Sequence, residues 1–207
     1  MDKLEVENFY DNNTLIEIPL MPNRTPSQNA QQYFKKYAKL KKSISYANEN
    51  KICYENDISY LESVIFNLQE AQNLNEVDDI RDELISSGII KKSGKRNKQR
   101  DLPSEPIQYQ KDGIEILVGR NNIQNDRLTF KIAKKTDTWL HTKNIHGSHV
   151  IIRSSEVPDE VLLYAAQIAA KHSQAKGNNH VEVDYTLVKY VHKESGSKPR
   201  NGSLYKL

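Results

Sequence analysis

From Ser27 to Leu102 the chain contains no proline, and no glycine occurs before Gly88. A stretch this long without either helix breaker is best satisfied by α-helix. Its start is marked. Thr25 suits an N-cap, Pro26 suits the first helical position, and Gln28 completes a Thr-x-x-Gln capping box. Behind it Ala30, Tyr33, Tyr37, Leu40, Ile44 and Ala47 recur at alternating spacings of 3 and 4, the seam of a coiled-coil helix. Asn48-Glu49-Asn50 interrupts the seam, and Tyr54, Ile58, Leu61, Ile65 and Leu68 resume it. A short break between two heptad runs predicts an antiparallel hairpin with its tip near Asn48-Glu49-Asn50. A third, shorter helix is predicted from Asn75 as N-cap, through Val77, Ile80 and Leu84, to Gly88. These apolar stripes are read as packing surfaces. Ahead of them, Val6, Phe9 and Tyr10, the turn-prone Asp11-Asn12-Asn13 and the alternating Leu15-Ile16-Glu17-Ile18 predict a small β-hairpin. Two strands are marginal alone, so it should lean on something else.

After residue 106 the period changes to 2. Ile114 to Val118 reads as a strand ending at Gly119. Asn122 to Ala133 reads as a helix with Ile123, Leu128 and Ile132 inward. Asp137 to His141 and His149 to Arg153 read as strands around a turn at Gly147. Pro158 opens a helix through Ala175 with Val161, Tyr164, Ala165, Ile168 and His172 on one face, and Val181 to Tyr185 and Leu187 to Val191 read as a final pair of strands. The fold class is α+β: an N-terminal helical coiled-coil hairpin followed by a small mixed α/β domain. The expected divisions are a hairpin segment over 1–25, coiled-coil helices over 26–88, a basic linker over 89–106 and a globular domain over 107–207.

The formal net charge of +3 conceals an uneven distribution. Residues 1–90 carry 9 Lys/Arg against 15 Asp/Glu, residues 91–100 carry 6 basic and no acidic residues, and residues 101–207 carry 15 against 12. An acidic front, a basic joint and a mildly basic rear suggest two modules with different partners. The single cysteine, Cys53, excludes a disulfide framework and suits a reducing compartment. No run of apolar residues is long enough to span a membrane, and the N-terminus lacks a signal-peptide layout, so a cytoplasmic location is expected.

Few residues point to chemistry. His141, His146 and His149 fall outside the common zinc spacings, with no thiol or carboxylate close in sequence. On strands flanking a loop, such imidazoles suit contact with a phosphate or a base, and hydrogen-bonded structural histidines explain the same letters. Gly119-Arg120-Asn121-Asn122 ends a strand and starts a helix, which suits a phosphate or nucleotide edge; a turn with Asn121 as N-cap reads equally well. It is neither a Walker loop nor a dinucleotide fingerprint. Ser148 lies beside histidines but in no nucleophile elbow. With no activated nucleophile, metal set or paired acid and base, neither an enzyme nor a cofactor is expected. The run from Lys91 to Arg100 offers six flexible cations for phosphates, as many solvated linkers also do.

Three blocks carry a resemblance: Val118 to Thr129, Asp137 to Lys143, and Gly147 to Ile152. They closely resemble the RNA-binding domain of the NFACT family. Thr25 to Gln31, Tyr33 to Tyr37 and Lys39 to Lys41 resemble the start of that family's coiled-coil segment, and Ile80 to Leu84 its end. The family's bacterial members act in ribosome quality control and carry an older name as fibronectin-binding proteins. The resemblance implies the C-terminal part of a larger protein, with large-subunit ribosomal RNA and tRNA as partners and alanine tailing of stalled chains as the process. The RNA-contacting set expected on this footing is Arg120, Asn121, Asn122, Asn125, Trp139, His141, Lys143, Gly147, Ser148, His149 and Arg153. Lys91, Lys92, Lys95, Arg96, Lys98 and Arg100 reach in from the joint. An adhesin module that binds fibronectin, at the cell surface, is the alternative.

Overall fold

The computed structural model describes residues 2–92 and 104–192 of the 207-residue chain. It contains four α-helices and seven strands, the α+β class expected. Residues 1–55 and 56–207 form two compact units.

In the first unit, β1 (Lys3–Asn8) and β2 (Thr14–Pro19) form the expected antiparallel hairpin, paired from Lys3↔Pro19 to Asn8↔Thr14. Asn12 and Asn13 adopt left-handed φ values of 48° and 55°, which asparagine tolerates better than most side chains. The hairpin leans on the first turns of α1 (Pro26–Glu70). Tyr33 Oη donates to Pro19 O at 2.6 Å, and the buried Asn29 amide accepts from Met21 N at 2.9 Å and donates to Met21 O at 3.2 Å. The capping box forms in both directions. Gln28 N donates to Thr25 Oγ1 at 3.3 Å, and Thr25 N donates to Gln28 Oε1 at 2.9 Å.

The predicted turn at Asn48-Glu49-Asn50 is not formed, because α1 runs unbroken through it. Asparagine costs a helix interior no more than about 0.7 kcal/mol against alanine, and neither glycine nor proline is present to reverse the chain. The seam residues Tyr33, Tyr37, Leu40 and Ile44 accordingly stand exposed.

In the second unit the chain does reverse, but later. α2 (Leu74–Ser86) follows the end of α1 after three residues. Asn73, two residues before the expected cap, accepts from Glu76 N at 3.0 Å, and Glu76 accepts from Gln72 N at 2.7 Å. Tyr60 and Val64 of α1 pack on Ile80 of α2, with Ala71 and Leu84 beside them.

β3 (Ile107–Lys111), β4 (Ile114–Val118), β5 (Thr138–Thr142), β6 (Val150–Ile152) and β7 (Val183–Leu187) form one antiparallel sheet in the order β3-β4-β6-β5-β7. Alternation along the strands sends side chains to two faces. Ile116, Val118, Leu140, Val150 and Ile152 meet Val161, Ala165, Ile168 and Ala169 of α4 (Asp159–Lys171). Leu117, Trp139 and Ile151 point the other way, onto Leu128, Val188 and Val191. The single helix expected over 122–133 is α3 (Asn122–Arg127) followed by a π-helical turn (Leu128–Ile132); Leu128 is buried as expected, but Ile123 is exposed. The second strand of the expected final pair is instead a 3-10 turn, Val188–Tyr190.

Candidate functional site

The segment from Gly119 to Asn125 is organised inward. Asn121 is the N-cap of α3, accepting from Gln124 N at 2.8 Å, while Arg120 N donates to Gln124 Oε1 at 2.7 Å. Arg120 was expected to present its guanidinium to phosphates. Instead Nη1 lies 2.5 Å from Glu76 Oε1 and Nε donates to Glu105 O at 2.9 Å. Asn122 Nδ2 donates to Ser63 Oγ at 2.9 Å and to Glu83 Oε1 at 3.0 Å. Glu83 is fully buried, and burial raises its carboxyl pKa. Asn125 Oδ1 accepts from His149 N at 3.1 Å, and Gly119 N donates to His149 O at 3.1 Å. These groups join the end of α1 and α2 to the sheet. Arg120, Asn122 and Asn125, expected to contact RNA, are thus hydrogen-bonded within the protein.

Trp139, His141 and His149 are likewise engaged within the protein. All three are buried, with ring centroids 5.4 to 5.8 Å apart, Trp139 stacked on His141 and His149 edge-on to both. His149 Nδ1 and Thr129 Oγ1 are 2.8 Å apart. Burial pushes His141 down to about 4 and His149 well below its ordinary value, so both rings are neutral at pH 7. Polar letters on a strand suggested an outward face, but the π-helical and 3-10 turns cover it. Among the described residues no cluster of His, Cys, Asp and Glu could hold a metal.

Gly147 and Ser148 form a bridge to the end of α4, through the Gly147↔Ser173 pair and Ser148 N donating to His172 O at 2.9 Å. Ser148 and Arg120 line a cavity of about 40 Å³ with Phe66, Asn67, Glu76 and His172. His172 bonds Tyr109 Oη at 2.9 Å, and burial lowers its pKa. Lys143 is exposed but paired with Glu182 at 3.3 Å, and Arg153 is paired with the buried Asp137 at 3.1 Å. Lys91 and Lys92 are exposed just beyond α2; Lys95, Arg96, Lys98 and Arg100 lie outside the described residues.

Sequence reasoning missed a set of cations on the far side of the sheet from α4. Arg127, Lys131, Lys134 and Lys135 are exposed at spacings of 4, 3 and 1, around the buried Leu128 and Thr129. Lys189 joins them, because its amide donates to Lys135 O at 3.2 Å and Val188 N donates to Asp137 O at 2.9 Å. The signal was present: Arg127 to Thr136 carries four cations and no acid. The inward apolar spacing of Ile123, Leu128 and Ile132 masks it.

Two family models match. One, described as the NFACT N-terminal and middle domains, matches residues 1–102; the other, the NFACT protein RNA binding domain, matches residues 107–204. The chain is similar to the Rqc2 homolog RqcH of Bacillus subtilis, at 42% identity over 199 residues, covering 94% of this chain and 35% of that protein. Against the Rqc2 homolog RqcH of Streptococcus suis the identity is 43% over 197 residues, covering 95% and 35%. The chain therefore spans about a third of the length of these curated relatives. Among solved structures, the C-terminal of the fibronectin/fibrinogen-binding protein from Streptococcus suis matches with a TM-score of 0.78 at 44% identity, over 86% of this chain and 72% of that one.

Proposed function

The chain belongs to the NFACT family, and on that footing we propose that it is the RNA-contacting end of a ribosome quality-control factor. In this reading residues 107–204 bind large-subunit ribosomal RNA or tRNA, the helices of 26–86 form an arm, and alanine tailing belongs to the whole protein of which this chain is a share. The chain itself carries out no covalent step. The observation that supports this best is the run of two NFACT family models along one chain, in the same order as the arm and the sheet domain. The protein's location is proposed to be that of ribosomes; among the described residues no helix is long and apolar enough to cross a membrane.

Co-sedimentation of the 207-residue chain with purified large subunits, with and without peptidyl-tRNA, tests the reading. Salt-sensitive retention is expected, and a chain left in the supernatant at low salt would refute it. A second reading, fibronectin binding, is favoured by the name of the solved Streptococcus suis structure. Binding to immobilised fibronectin that persists after nuclease treatment, in a chain that ignores ribosomal subunits, would put it first.

A further inference from the structure

We propose that the face built from the π-helical turn and the 3-10 turn holds an unpaired RNA strand, with its phosphates on Lys131, Lys134, Lys135 and Lys189 and a base stacked on Tyr190. This rests on the RNA-binding reading above and assigns it a surface and a ligand form.

Cations of the second unit differ in whether a carboxylate faces them. Arg120, Lys143, Arg153 and Lys176 each face a carboxylate, from Glu76, Glu182, Asp137 and Glu70 respectively. Lys131, Lys134, Lys135 and Lys189 have no carboxylate partner among the described residues, although all four are exposed. The neighbouring acid, Asp137, is buried and already accepts from Lys134 N at 2.8 Å and Arg153 Nε at 3.1 Å. Among the described residues no carboxylate neutralises these lysine charges, which is the electrostatic footprint of a phosphate-binding surface.

Geometry gathers these charges. The backbone bond from Lys189 N to Lys135 O lays the 3-10 turn along the loop that carries Lys134 and Lys135, so charges 54 residues apart in sequence share one edge. The same turn supplies an aromatic surface. Tyr190 is 51% exposed, and Lys189 Nζ lies 4.7 Å from its ring centroid. Cations beside a half-exposed ring suit an unpaired strand, whose bases have faces free to stack; a duplex buries those faces. The platform is firm, because Leu128, Thr129 and Val188 beneath it are buried.

The test uses the whole chain with two labelled probes, a short oligouridylate and an RNA duplex of equal length, alongside purified large subunits. Each phosphate contact to a single strand contributes about −0.7 to the slope of log K against log salt. Replacing the four lysines with serine should flatten that slope by roughly 3 and weaken oligouridylate binding on the order of several hundred-fold at 0.1 M salt. Tyr190→Ala should weaken binding about tenfold with the slope unchanged, and Tyr190→Phe should restore it. Lys176→Ser, which removes a cation already paired with Glu70, should change neither. Circular dichroism melts should coincide for all variants, since these side chains are solvated.

If the parent binds oligouridylate and large subunits but the four-lysine variant keeps its slope, this face is not the site, while the family reading stands. If the duplex binds more tightly than oligouridylate and Tyr190→Ala changes nothing, the unpaired-strand assignment is wrong. If the parent retains neither RNA nor subunits, the family reading itself fails and this surface fails with it.

Discussion

Replacing Gly119 with alanine separates two meanings of a glycine at a strand end, cradling a ligand or packing against the protein. A Cβ built at Gly119 falls 2.0 Å from Asn125 Oδ1, 3.0 Å from Asn125 Cγ and 3.1 Å from Asn125 N. That amide oxygen is the acceptor of the buried His149 N–H, so it cannot rotate away without loss. Leaving a buried donor unsatisfied costs about 1–3 kcal/mol, and forcing a methyl into filled space costs about another 1–3 kcal/mol. The sum, roughly 2–6 kcal/mol, corresponds to a fall in Tm of about 4–24 °C for a chain of this size. Thermal and urea melts of Gly119→Ala measure the total. A double-mutant cycle with Asn125→Ala identifies its origin. Asn125→Ala has already lost the bond and vacates the occupied space, so Gly119→Ala added to it should cost little, leaving a coupling close to the whole Gly119→Ala cost, about 2–6 kcal/mol. Additive losses, or a Gly119→Ala protein that melts with the parent, would refute the packing account.

Glu49→Pro should disrupt α1, costing about 3 kcal/mol of helix stability and lowering the far-ultraviolet dichroism; an unchanged spectrum would mean that the chain does turn there. His141, His149 and His172 have lowered pKa values in the fold, chiefly through burial, so the unfolded chain binds more protons as pH falls below about 6.5. Their contribution is complete above that pH and is lost on acidification towards 4. His141→Gln should make the fall in urea midpoint between pH 6.5 and 4 shallower, and an unaltered slope would contradict the burial. Glu83 has the opposite sign. Its raised pKa makes its contribution complete below the unfolded value and lost as pH rises through the folded one, so Glu83→Gln should gain stability relative to the parent as pH rises. Urea midpoints of the two proteins from pH 5 to 8 would check this.

Local rules read well where one residue decides. The Thr25–Gln28 box, the limits of β4 from Ile114 to Val118 and the Asn121 cap were legible because each depends on neighbours within a few positions. The fate of Trp139 and His141 was not. A period of 2 places them on one face of β5, but whether that face meets water depends on Leu128 and Val188, which arrive from elsewhere in the chain. The ion pair of Arg120 was not legible for the same reason, since its carboxylate partner, Glu76, is 44 residues away. β3 was not legible because the alternation of Ile107 to Lys111 is short and begins directly after Pro106. The helical reversal was displaced to residues 71–73 because heptad spacing identifies a seam without identifying what lies across it.

The π-helical turn makes chain length a constraint in its own right. Ala133 N donates to Leu128 O at 2.9 Å, closing a turn that holds one residue more than an α-turn. Each helical residue rotates the chain by about 100°. Deleting one position between Leu128 and Ile132 would relax the turn to ordinary α geometry and keep the chemistry of the segment, yet swing Lys134 and Lys135 about a quarter of a turn relative to Leu128 and Thr129. Either the side chains beneath or the cations outside would lose their direction. Substitutions here are matters of degree, whereas an insertion or a deletion changes which way the surface faces.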